Sequence, residues 1–189
     1  CKAVDLLVED DLVIRQQGRG TIVTDRRWSK SRERANRFRT ADGRPIEDWR
    51  VEEIDYSKTS VPGPVAARLG LSEGQEVHCI HRKRSAEPAW IISEQLFIPA
   101  AAIEAEELEP LKRRSFAALV RRHSLLIGAI DERITVATID GPAASVLGIG
   151  STTAVLRVER VLYDRDGKAF EFRLTQALPA NGAYWHSSS

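Results

Sequence analysis

Arg82 and Arg84 stand two residues apart in residues 76–84, a run whose composition predicts a β-strand. Side chains at i and i+2 of a strand share a face, so both guanidinium groups point the same way. A second strand is expected over residues 89–97, across a turn at residues 85–88, and it carries Glu94 preceded by Ser93. Two permanently charged planar forks on one face are suited to clamping a carboxylate or a phosphate. On a core-facing side the same bases need anionic partners, because an unpaired buried charge is costly. The plainer alternative is an Arg–Glu pair on a surface, worth about 0–1 kcal/mol. The pattern by itself leaves both open.

Other chemistry is weakly signalled. His78, His81, His123 and His186 form no i,i+4 pair, and His81 alternates out of phase with Arg82, so no zinc site is expected. Cys1 and Cys79 have no metal or redox spacing and read as free thiols in a reducing cytoplasm. There is no Gly-rich phosphate loop and no nucleophile elbow, and the Ser, His and Asp residues lack motif context. Neither a metal nor a cofactor is expected.

The elements that position Arg82, Arg84 and Glu94 belong to a chain of 189 residues, 42% hydrophobic and 29% charged, enough for one good core and a smaller appendage. No apolar run nears the roughly 20 residues of a membrane span, and no secretory leader pattern opens the chain. The net charge of +1 hides an asymmetry. Residues 15–44 carry ten bases against three acids, whereas the segments on either side are slightly acidic. A basic belt on an otherwise acidic chain suits a polyanionic partner; a solvated linker is the bland reading.

Residues 2–10 place Ala3, Val4, Leu7 and Val8 at helical spacing. Two short β-branched runs follow around Gln16, Gln17, Gly18, Arg19 and Gly20, which predicts a hairpin whose glycines supply positive φ. A helix followed by a basic-tipped hairpin is the second half of a winged helix-turn-helix, with the wing along the DNA backbone. Residues 25–45 are Arg-rich, lack apolar periodicity and read as a linker. From residue 49 the pattern becomes strands joined mostly by hairpins, with helices expected near residues 61–71, 115–123 and 142–147. That pattern predicts an α+β fold, an antiparallel sheet covered by helices.

One unit occurs twice: a helix, Leu-Gly-Leu/Ile, a polar turn, a strand ending in bases, a hairpin and a strand. The copies begin at Val65 and at Ala143. Duplication implies a pseudo-symmetric domain with room for a pocket between its halves.

Two resemblances follow from these residues. Lys2, Ala3, Leu7, Leu12, Arg15, Gln17, Gly18, Gly20, Thr21 and Val23 fit the end of the GntR-superfamily winged-helix motif; Asp11 departs from its usual glycine. Residues 46–189, through the duplicated unit, resemble the UTRA effector-binding domain of the HutC-type branch. The resemblance implies a chorismate-lyase-like sheet preceded by the C-terminal part of a winged helix-turn-helix over residues 1–24. It also implies operator DNA, a homodimer, and a small anionic effector that modulates DNA binding, most simply as a repressor. Lys2, Arg15, Gln17, Gly18, Arg19 and Gly20 become the DNA-side candidates.

For the effector, the resemblance selects Arg82, Arg84, Glu94, Ser115 and Glu171. Ser115 would open a helix, where backbone N–H groups favour an anion; its ordinary role is an N-cap. Glu171 would accept sugar hydroxyls or an ammonium, or be a sheet-edge charge. Where the family has an aromatic after this glutamate the chain has Ala177, and its Arg-Gly-Asp-x-Tyr ending is replaced around Tyr184, which becomes a substitute pocket wall beside Trp90. An enzyme on the same fold, acting on an acidic aromatic substrate through Arg82, Arg84 and Glu94, is the alternative; the wing motif argues against it.

Overall fold

A computed structural model describes residues 13–16, 20–23, 37–46, 49–86, 89–103, 105–108, 127–164, 166–179 and 182–185. The expected helices over residues 2–10 and 115–123 lie outside these residues, as do Lys2, Gln17, Gly18, Arg19 and Ser115. The expected hairpin is present: β1 (Val13–Gln16) pairs antiparallel with β2 (Gly20–Val23). Gly20 takes φ 83°, the conformation a glycine admits cheaply.

The main body is a six-stranded antiparallel sheet in the order β4-β5-β6-β9-β8-β7. Its strands are β4 (Arg50–Ser60), β5 (Glu76–Ala86), β6 (Trp90–Pro99), β7 (Ile127–Thr138), β8 (Ala154–Asp164) and β9 (Ala169–Pro179). Helix α1 (Gly63–Leu69) links β4 to β5, and α2 (Gly141–Leu147) links β7 to β8. The predicted repeat is therefore structural. Each half is strand, helix, strand, hairpin strand, and the halves meet where β6 pairs with β9.

The helices show why the sequence repeats. Each has proline in its first turn, where a missing N–H costs nothing. Each ends on a left-handed glycine, Gly70 at φ 64° and Gly148 at φ 67°. Each buries one apolar stripe: Val65, Ala66 and Leu69 in α1; Ala143, Ala144 and Leu147 in α2. Both stripes lie on the same face of the sheet. α1 packs with Val77, Phe97, Val161 and Phe172, and α2 with Ile139, Val155, Ile91 and Leu178.

The opposite face carries two further apolar clusters. One gathers Ile80, Leu96, Ile98, Ile103, Leu108, Leu162 and Phe170; the other gathers Phe38, Trp90, Ile92, Val158 and Ala177. The second contains a departure from expectation. The sequence reads residues 37–45 as the tail of a linker, yet Phe38 is 4% exposed. It lies in β3 (Phe38–Thr40), which pairs with β10 (Gly182–Tyr184). Phe38 meets Trp90 edge-on at 4.8 Å, and the Trp90 indole N–H donates to the Arg39 carbonyl at 2.7 Å. A three-residue strand paired with one from far along the chain leaves too little periodicity to see in sequence. The folded body thus includes part of the belt.

Candidate functional site

Cross-strand neighbours share a face, so the register shows which side chains meet on the face opposite the helices. Arg82 stands between the exposed Glu53 of β4 and the buried Glu94 of β6. Two residues along, Leu96, Arg173, Arg160 and Glu132 run across β6, β9, β8 and β7. A band of charge crosses the sheet between the two apolar clusters.

At its centre Glu94 is 1% exposed and receives Arg82 on one oxygen and Arg84 on the other. Arg82 Nε donates to Oε2 at 2.8 Å with Nη2 at 2.7 Å, and Arg84 Nη1 donates to Oε1 at 2.9 Å. Arg173, absent from the sequence candidates, joins them: Nη1 is 3.6 Å from Glu94 Oε1, and Nε and Nη2 reach Glu171 Oε1 at 2.9 and 2.7 Å. Its signal is present in the sequence, since Arg173 alternates with Glu171 just as Arg84 does with Arg82. Arg84 also lies over the Trp49 ring, 4.1 Å from its centroid, a cation–π contact on another unforeseen residue.

The electrostatics follow from this geometry. Burial alone would raise the Glu94 carboxyl, but Arg84, Arg82 and Arg173 outweigh it and hold the group well below the usual carboxylate range. Burial lowers Arg82, and it lowers Arg84 to about 10, which leaves the latter cationic at neutral pH. Arg173 moves the other way: burial opposes its charge, but Glu171 and Glu94 more than restore it. Three guanidinium groups thus converge on the buried carboxylates of Glu94 and Glu171. Two buried polar atoms beside it, Trp49 Nε1 and Glu171 Oε2, have no hydrogen-bond partner.

A second charged group adjoins the first. Arg160 Nε donates to Glu132 Oε1 at 2.5 Å, and the Tyr184 hydroxyl donates to the same oxygen at 2.9 Å. Arg37, from the belt, sets its Nε 2.8 Å from Oε2 in an ion pair that lies off the line of a hydrogen bond. Tyr184 packs edge-on against Phe38 at 5.1 Å, and burial pushes its hydroxyl up to about 12. Tyr184 is thus placed against Glu132, one strand beyond the Arg160 and Arg173 pair.

The expected residues therefore divide. Arg82, Arg84, Glu94 and Glu171 are brought together around Arg173. Glu171 is fully buried on a central strand, so the sheet-edge alternative is wrong, and the exposed-pair alternative for Arg82 and Glu94 fails for the same reason. Trp90 is buried against Phe38. His81 does point to the helix face, where its Nε2 lies 2.8 Å from Ser93 Oγ. Among the described residues no group of His, Cys, Asp and Glu has metal-site geometry. No helix among them is long and apolar enough to cross a membrane.

Comparison with known proteins adds the family. The UTRA domain profile matches residues 48–178. The HTH-type transcriptional repressor NagR of Bacillus subtilis is 24% identical over 177 residues, 90% of this chain and 70% of that protein. A solved ligand-binding domain assigned to a GntR-family regulator of Bordetella bronchiseptica superposes with TM-score 0.70 at 18% identity, over 81% of this chain and 96% of that one. PhnF of Mycobacterium smegmatis gives 0.67 at 19% identity, over 100% and 83% respectively. These likenesses favour a regulatory domain over the lyase alternative. The chain belongs to the UTRA family, the ligand-binding regulatory domains of GntR-type transcriptional regulators.

Proposed function

We propose that the charged face of the sheet binds a small anionic metabolite and that this binding modulates the hold of a homodimer on operator DNA, in the sense of a cytoplasmic repressor. The carrying observation is the convergence of three guanidinium groups, Arg82, Arg84 and Arg173, on one face of the sheet around Glu94. Buried ion pairs contribute little net stability, because desolvation offsets their attraction. Three guanidinium groups gathered on one face are therefore a poor way to build a core and a good way to build a receptor for an anionic group. A hydroxyl or ammonium on the same molecule supplies the donor that Glu171 Oε2 lacks, and an acceptor near Trp49 satisfies its N–H.

The DNA half of the reading rests on the β1–β2 wing and on the candidates Lys2, Arg15, Gln17, Gly18, Arg19 and Gly20. Ser115 remains a proposed effector contact and Tyr184 a proposed wall at the far end of the band. The domain boundary is best drawn with residues 37–45 assigned to the sensor.

A thermal-shift screen against sugar phosphates, amino-acid catabolites, phosphonates and fatty acids tests the sensor. A ligand at a hundredfold excess over its dissociation constant adds about 2.7 kcal/mol, a rise of roughly 5–10 °C for a chain of this size. Arg84→Ala, on the least buried arginine of the three, should abolish the rise while the variant still melts cooperatively. A panel that produces no shift at all sinks the sensing role.

A further inference from the structure

Trp49 stands at the start of β4, two residues before Val51, which is the cross-strand partner of Arg84. Its ring does two packing jobs. Phe38 meets it edge-on at 6.2 Å, and the Arg84 guanidinium lies over it, 4.1 Å from the centroid. A phenyl ring could serve both. The indole N–H serves neither, for Nε1 is shut off from solvent and has no hydrogen-bond partner among the described residues. A buried donor left unpaired is costly, and an acceptor that arrives from outside the fold would explain why it is kept. Arg84 is the arginine of the cluster best able to share that acceptor. The Arg82 side chain is 1% exposed and sets Nε and Nη2 on Glu94 Oε2. That of Arg173 is 8% exposed, with Nε and Nη2 on Glu171 Oε1. Arg84, at 12%, is the most open of the three and gives Nη1 to Glu94. A guanidinium has five N–H donors, so Arg84 keeps donors beyond the one that Glu94 takes.

We propose that Trp49 is a specificity-determining residue of the effector site, its indole N–H and the Arg84 guanidinium forming a two-donor corner that takes two oxygens of one oxyanion. This deepens the anion-binding reading above, on which it rests, by naming the group that selects the head of the ligand. The head is then a carboxylate, phosphate or sulfate, with two oxygens on one centre, and not a point charge such as a halide. The two donors differ in kind. Arg84 supplies charge, whereas Trp49 supplies direction, because an indole has a single N–H fixed in the plane of its ring. Phe38 and Arg84 already hold that ring, so its orientation is set before the ligand arrives and little entropy is lost at binding. Arg82 and Arg173 share the charge of Glu94, which reduces its repulsion of an incoming anion. Since Nε1 is closed to water while Arg84 lies over the ring, the oxyanion opens the corner by drawing the Arg84 side chain along it.

Titration of the purified chain with inorganic phosphate and with acetate is the test, at an ionic strength held constant with sodium chloride so that screening does not change. Both anions should raise the melting temperature by mass action, and chloride alone should not. In the wild type the Trp49 indole N–H resonance should move downfield as phosphate binds, a change that a ring serving packing alone does not give. Trp49→Phe keeps a ring under Arg84 and loses the N–H. It should bind both anions at least about tenfold more weakly, the loss of one charge-assisted hydrogen bond. Trp185→Phe, on an exposed ring, should bind as the wild type does. An indole resonance that stays in place while phosphate binds, or a Trp49→Phe chain that binds as tightly as the wild type, overturns the role of Trp49 and leaves the sensing reading standing. A wild type that binds neither anion overturns the corner, and the metabolite panel then decides the sensor separately.

Discussion

Arg82 and Arg160 hold equivalent places in the two halves of the sheet. Each lies on the strand that follows a proline-led, glycine-ended helix, and each faces a glutamate on the outer strand, Glu53 or Glu132. Toward the middle they part. Arg82 faces Glu94, but Arg160 faces Arg173. The like charges turn away from each other. Arg160 goes outward to Glu132, and Arg173 goes inward to Glu94 and Glu171. One residue of opposite sign in a duplicated scaffold therefore does two things. It gathers a third guanidinium group at the centre of the sheet, and it makes Glu132 the acceptor that holds Arg37 and Tyr184 against the second half. The same backbone has become a candidate receptor on one side and an anchor for the incoming chain on the other.

The comparison can be broken at its central carboxylates. Glu94→Ala strands two buried arginines and should cost about 3–5 kcal/mol in denaturant unfolding. Glu132→Ala, nearer the sheet edge, should cost less. Equal losses would mean that the halves are energetically alike and that the reversed charge does not matter. The acid side of the wild-type profile carries the same information. Glu94 is held below its ordinary value, so its contribution is complete above the usual carboxylate range and is lost as pH falls toward the folded-state value. Glu94→Gln should flatten that part of the curve.

A smaller effect is expected at the anchor. A Cβ on Gly182 would collide with the Trp90 indole, and that ring is buried and bonded to Arg39. Gly182→Ala should cost roughly 1–3 kcal/mol by overpacking and should expose Trp90, read as a red-shifted tryptophan emission. Unchanged emission and stability would show that the β10 contact with Trp90 is dispensable. The smallest effect separates the helices. Asp140 accepts from the Ala143 N–H at 3.0 Å and so caps α2, whereas Pro62 gives α1 no side-chain cap. Asp140→Ala should cost about 1 kcal/mol, and more if its link to Gln176 also matters; no loss would make the two helix starts equivalent.

Much of this architecture is legible in the amino-acid sequence. Both helices, their glycine ends, the hairpin at Asp164 and Gly167, and the duplicated order are local patterns, and local patterns survive in sequence. Arg82, Arg84 and Glu94 are legible because one hairpin joins them. For Arg173 only the alternation with Glu171 is legible; its approach to Glu94 is not, because Glu94 lies on a strand far away in the chain and only the β6–β9 pairing brings them within reach. β3 escapes for a similar reason: its partner, β10, comes at the other end of the chain.

The sequence by itself determined most of the elements, the family and which residues carry charge, since periodicity, turn chemistry and side-chain type need nothing beyond near neighbours. The tertiary structure alone decided which charges are buried together, that Arg173 joins Arg82 and Arg84 around Glu94, and that part of the apparent linker belongs to the core. Those depend on strand order and register, which bring residues many positions apart within hydrogen-bond distance and take them out of water, where each charge must be met by close partners.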